Sequence, residues 1–134
     1  MFGLNLMAII IATIVMTVIG GVWFNAPFAF QRLWLAGIGK TNEQVIADFS
    51  PIKPILSLVG SAILATLLSV VLNWLDISGI IAGLQVGLIA AAFAVIPNGV
   101  RDAFEGRSLS LYLVNAAHDS TILVLASMII GFFK

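Results

Sequence analysis

The chain has 134 residues, 61% of them hydrophobic and 9% charged, with a formal net charge of zero and a mean hydropathy of +1.17. A soluble domain carries about 25% charged residues, so this composition excludes an ordinary water-soluble fold and points to one all-α domain embedded in lipid. No Lys/Arg cluster is present to bind nucleic acid, and the absence of cysteine removes disulfides, thiolate metal sites and thiol nucleophiles.

A membrane-crossing helix needs about 20 mostly apolar residues. The first segment that qualifies is 4–24. No Lys or Arg precedes it, no small-x-small site follows it, and it exceeds the about 7–15 apolar residues of a removable signal, so a retained span is expected. Asn25 and Pro27 close it.

The connection 26–53 is long for a helical bundle. Phe28, Phe30, Leu33, Trp34 and Leu35 surround Gln31 and Arg32, the pattern of a short amphipathic helix lying in the headgroup region. Thr41-Asn42-Glu43-Gln44 fits a capping box that starts a second short helix toward Phe49. Trp23 and Trp34 are expected to anchor the chain at the membrane–water interface, with a gate or partner-docking role as the alternative for this loop.

Three more spans follow, at 54–75, 79–96 and 109–133. Ser50-Pro51 is expected to supply the N-cap and first helical residue of the second, with Pro54 inside the tolerant first turn. Asn73 to Ser78 reads as a tight turn, Pro97-Asn98-Gly99 as the stop of the third span, and Ser108 as the cap of the fourth. The expected architecture is an integral membrane four-helix bundle with short interfacial helices in its first loop.

Arg32, Lys40 and Lys53 fall in the first loop, and Arg101 and Arg107 between the third and fourth spans. Five of the six basic side chains therefore share one side. The positive-inside rule places both loops in the cytoplasm and both termini outside a cell (inner) membrane.

Lipid tails are as apolar as leucine, so spans associate through close packing and polar contacts. Gly79, Gly83, Gly87 and Ala91 recur every four residues, as do Ser57, Ser61, Ala65, Ser69 and Asn73 on the preceding span. The two stripes predict that the second and third spans press backbone to backbone, or that one of them builds a contact in a homo-oligomer. Thr13, Thr17 and Gly21 repeat the pattern on the first span.

The sharpest chemical feature is Asn115, His118 and Asp119 within the last span, because ionisable groups in hydrocarbon are costly and usually functional. Asn115 lies three and four residues from the other two and so shares their helical face. At about 1.5 Å per residue the pair is expected roughly 14–15 Å deep, near the midplane. Thr13 comes to a similar depth, Ser61 and Thr66 bracket it, and Gln85 extends the layer toward the outer surface. A buried aspartate must be protonated, paired or wetted. The favoured reading is a binding site for a small solute, ion or proton in a small channel or carrier. The alternative is a structural or accessory protein whose polar layer fixes helix packing; a membrane enzyme or haem binder is the weaker third. No catalytic set, metal site or cofactor motif is expected, since one histidine builds no metal site alone. Arg101, Glu105 and Arg107 are expected to pair across the cytoplasmic mouth, with Gly106 making the turn into the last helix.

The chain resembles the small bacterial integral membrane proteins of domain-of-unknown-function family 1761. The resemblance rests on Asn5 before the first span, Trp23-Phe24 with a following proline, Trp34, and Phe104-Glu105-Gly106-Arg107-Ser108-Leu109 leading into a last helix with a midpoint histidine. It implies a four-helix membrane protein and brings no established activity, cofactor or catalytic residue.

Overall fold

A computed structural model describes residues 3–25 and 30–134. Pro27 and Phe28, assigned above to the end of the first span and to the first interfacial helix, lie outside the described residues. The described chain is all-α: α1 (Leu6–Asn25), α2 (Gln31–Ile38), α3 (Asn42–Ala47), α4 (Ile52–Trp74), α5 (Ile80–Phe104) and α6 (Leu109–Phe133). α1, α4, α5 and α6 are each long and apolar enough to cross a membrane. Their outer faces carry large exposed side chains such as Ile14, Ile63, Leu67, Ile89 and Phe93. That is the surface a lipid-embedded bundle presents, where burial against protein and exposure to acyl chains are both apolar environments.

The helix ends explain why the chain turns where it does. At the end holding both termini, the Asn5 carboxamide oxygen accepts from the Ala8 N–H at 3.1 Å, and its amide donates to the Phe133 carbonyl at 3.0 Å. One side chain thus closes the start of α1 and the end of α6. Lys134 Nζ donates to the Leu72 and Ile77 carbonyls at 2.8 and 2.9 Å, serving the C-terminus of α4 in the same way. Between α4 and α5 the chain reverses through Asp76 at φ 50°, with the Asp76 and Ile77 N–H groups returning to Asn73 and Leu72. This is a Schellman turn with an aspartate where glycine is usual.

The opposite end, here the basic end, carries α2 and α3. Thr41 and Gln44 form the expected capping box with bonds of 2.9 and 3.2 Å. Gln31 is buried and donates to Asn42 Oδ1 at 3.1 Å, tying the start of α2 to that of α3. Ser50 does not cap α4 with its side chain. Pro51 occupies the N-cap position, and Ser50 contributes only its carbonyl, which accepts from the Lys53 N–H at 3.0 Å. Ser108 caps α6 as expected, accepting from the Leu111 N–H at 3.3 Å. Gly106, at φ 69°, closes α5 through a second Schellman turn.

Two further expectations fail. α5 does not stop at Pro97 but runs through it to Phe104. Proline removes one bond, to the Phe93 carbonyl, and membrane helices tolerate this because flanking backbone is satisfied locally. The glycine stripe of α5 packs on α6 rather than on α4. A Cβ on Gly83 would lie 2.3 Å from the Ser127 carbonyl oxygen, and one on Gly87 would lie 2.7 Å from the Val124 Cα. Gly131 of α6 reciprocates, with a Cβ position 2.5 Å from the Gly79 carbonyl oxygen. α4 packs mainly on α1 and then on α6, and touches α5 little. Its Ser61, Ala65 and Ser69 are buried, whereas Ser57 is exposed. A short turn fixes two helices as neighbours in sequence without choosing the faces they share. α6 is consequently the central helix of the bundle.

Candidate functional site

Because α5 continues through Pro97, its last two turns lie beside the first half of α6. Tyr112 locks the two together: its hydroxyl donates to the Val95 carbonyl at 3.2 Å, and its ring lies over Gly99, where a Cβ would meet it at 2.7 Å. α4 is exposed over 51–59 and joins the core only from Ser61. A cleft of about 300 Å3 remains, lined by Asn98, Arg101 and Asp102 of α5, Tyr112, Asn115, His118 and Asp119 of α6, Arg107 of the turn, and Phe24 of α1.

At its inner end, His118 Nδ1 lies 2.9 Å from Asp119 Oδ1. The imidazole is nearly enclosed at 14% exposure, and the carboxylate is open to the cleft at 36%. Phe24 packs on the imidazole with ring centroids 4.8 Å apart, and Trp23 meets its edge at 5.9 Å. His118 Nε2 is buried with no hydrogen-bond partner. It faces Gly20, where a Cβ would sit only 3.3 Å away. A buried ring nitrogen without a partner is a cost the fold accepts, and such groups ask for an explanation.

At the outer end, Arg107 Nε contacts Glu105 Oε2 at 2.8 Å, and Arg101 Nε lies 3.8 Å from Glu105 Oε1. Both guanidiniums flank Asp102, at 3.8 and 3.9 Å from Oδ1. Asp102 is buried, and its Oδ1 makes no hydrogen bond.

The expected trio Asn115, His118 and Asp119 is therefore brought together, and Arg101, Glu105 and Arg107 do form one ionic cluster. Thr13 is not part of the site. It donates to the Ile9 carbonyl of its own helix at 2.8 Å, and it lies about 10 Å along α1 from Gly20, the residue facing His118. Gln85 is exposed and sits about 20 Å along α5 from Asn98. The expected layer put Thr13 at the middle of the bundle and Gln85 nearer the outer surface, whereas the cleft opens toward the basic end. Asp102, Asn98 and Tyr112 were not singled out from the sequence. The signal for Asp102 was present: it lies eleven residues, three helical turns, beyond Ala91 and so continues the buried face of Gly83, Gly87 and Ala91. Ending the helix at Pro97 hid that continuation.

Among the described residues no group of three His, Cys, Asp or Glu is placed to hold a metal. Haem shared by two symmetric copies would need an outward-facing imidazole nitrogen, but Nε2 is turned into the subunit against α1. No curated protein and no solved structure gives a significant match. A family profile matches residues 7–131, the span from the first turn of α1 to the last of α6. The chain belongs to the family described as "Protein of unknown function (DUF1761)".

Proposed function

We propose that the protein is a small-solute carrier of the cell membrane, with the cleft as its binding site and the His118–Asp119 pair as the polar end that meets the solute. The basic end is cytoplasmic in this reading, following the distribution of Lys and Arg, and the termini lie outside.

One observation carries the proposal: an ionisable pair within a membrane-crossing helix lines an open cleft, with the Asp119 carboxylate partly exposed to it. A packing role fits less well. The bond between His118 and Asp119 joins adjacent residues of one helix and ties no two helices together. The hydroxyls of Thr13, Thr17, Thr66 and Thr121 likewise return to carbonyls of their own helices. A permanently open channel through one chain also fits less well. Inward of the pair lie Met16, Ala65, Leu68, Ile122, Leu123 and Ala126, a buried apolar layer. A solute held at Asp119 would cross that layer only after the helices rearrange, which is the behaviour of a carrier.

The cleft presents the Asp102 and Asp119 carboxylates with the Arg101 and Arg107 guanidiniums, a pattern suited to a small zwitterion or a cation exchanged with a proton. The test uses proteoliposomes loaded with a pH-sensitive dye and challenged with a proton gradient alone or with glycine, choline or acetate gradients. Wild type is expected to accelerate dye response in at least one condition. The double variant His118→Leu, Asp119→Asn should abolish it while keeping the same elution volume and melting profile. Wild-type liposomes indistinguishable from empty ones in all conditions would defeat the carrier reading.

A further inference from the structure

A second cavity lies outside the polar cleft. It measures about 590 Å3 and runs between the last third of α1 and the first turns of α4, with Trp34 of α2 and Val45 of α3 forming its cover. We propose that this groove is a binding site for one phospholipid of the leaflet at the basic end, its acyl chain lying along Gly20 and Gly21 and its phosphate meeting Lys53.

Three independent features support the assignment. The volume is that of a ligand pocket rather than of a packing defect. The walls are mainly apolar; Lys53, with Ser57 one turn on, and Asn25 stand toward the basic end, and the Thr17 hydroxyl farther in is bonded to the Thr13 carbonyl of its own helix. That division matches an acyl chain with a charged headgroup. Lys53 uses one N–H on the Asp48 carbonyl, at 2.8 Å, and an ammonium has two more donors. The neighbouring Asp48 carboxylate takes its hydrogen bond from Lys40 and meets Lys53 only through its charge, which leaves Lys53 N–H donors for a phosphate. Gly21 completes the case. A Cβ there would meet nothing within 4 Å, so the described chain leaves this stretch of the groove open to another molecule.

The site does not rest on the carrier reading, although the two cavities share a wall. Phe24 lines both and packs on the His118 ring, so a lipid in the groove would brace the aromatic that closes the cleft.

The experiment is native mass spectrometry of the whole chain purified in mild detergent, then re-lipidated with phosphatidylglycerol or phosphatidylcholine. Wild type should retain phospholipid through delipidation and prefer phosphatidylglycerol. Gly21→Phe fills the groove without touching described protein atoms at its Cβ and should lower retention about tenfold, a change of about 1.4 kcal/mol. Lys53→Gln should erase the preference between the two headgroups while keeping retention. Ile14→Phe, on an exposed face of α1 outside the groove, should behave as wild type. Equal retention by folded Gly21→Phe and wild type, unchanged headgroup preference in Lys53→Gln, or no retention by wild type would each overturn the proposal. Elution volume and helical circular dichroism establish that each variant is folded.

Discussion

Replacing Gly83 by alanine should destabilise the bundle even though alanine is the better helix former. The new Cβ would lie 2.3 Å from the Ser127 carbonyl oxygen, 2.7 Å from the Met128 Cα and 2.8 Å from the Ser127 carbonyl carbon. All three are backbone atoms, so no rotamer change relieves the clash. Ordinary contact distances are about 3.5–4.0 Å, and α6 would have to withdraw by more than about 1 Å along much of its contact with α5. Gly-to-Ala gains about 1 kcal/mol of helix propensity, while overpacking costs typically about 1–3 kcal/mol. Because α5 makes most of its packing against this one helix, the loss should stand near the upper part of that range, leaving a net destabilisation of about 1–2 kcal/mol. Gly60→Ala is the matched control: its Cβ would meet nothing within 4 Å, so it should stabilise by about 0.5–1 kcal/mol. Reversible unfolding in mixed micelles reads both. A Gly83→Ala protein as stable as Gly60→Ala would refute the backbone-to-backbone contact of α5 with α6.

Further outcomes follow from single contacts. Asp76→Gly should raise stability by about 1 kcal/mol in the same unfolding assay, since Asp76 holds φ 50° and a left-handed residue with a Cβ is strained by about 1–2 kcal/mol. Tyr112→Phe removes the bond to the Val95 carbonyl and should cost about 1 kcal/mol, with faster hydrogen exchange around Val95 by mass spectrometry. The Asp48 carboxyl is held below its usual range, chiefly by its hydrogen bond from Lys40 and then by that ammonium's charge. A lowered folded-state value means the clamp is complete at neutral pH, weakens only below about pH 4, and is lost as pH falls through the lowered value. Hydrogen exchange of α3, corrected for its intrinsic pH dependence, should therefore rise only at that acid end. The same rise beginning near pH 6 would contradict the assignment.

The four spans were legible because their cause is local: long apolar runs set off by residues such as Asn5, Gly106 and Ser108, whose side chains or backbone freedom close helices wherever they occur. The pairing of helices was not legible. Gly79, Gly83 and Gly87 announce a close approach, but a glycine stripe carries no information about which neighbour arrives. Here it is Ser127 and Val124 of α6. Proline misled for a related reason. Pro97 ends helices in water, where freed carbonyls find solvent, whereas in a bundle interior the helix is the cheaper conformation even with one bond missing. That one boundary hid Asn98 and Asp102, half of the polar wall facing Asn115 and Asp119. Thr13 and His118 are about equally far from the starts of their antiparallel helices yet do not meet. α6 is longer than α1, and the residue facing His118 is Gly20, near the end of α1.

Water access to Asp119 from the basic end tests the account most directly. The chain has no cysteine, so Asp119→Cys can be labelled without background by a charged maleimide that does not cross membranes. Labelling is expected in inside-out vesicles, which expose the basic end under the proposed orientation, and should be absent in right-side-out vesicles. It should also be slowed when Asn98→Trp fills the cleft. An Asp119→Cys protein that is folded yet reacts from neither side, or only from the side of the termini, would contradict the cleft as a solute site.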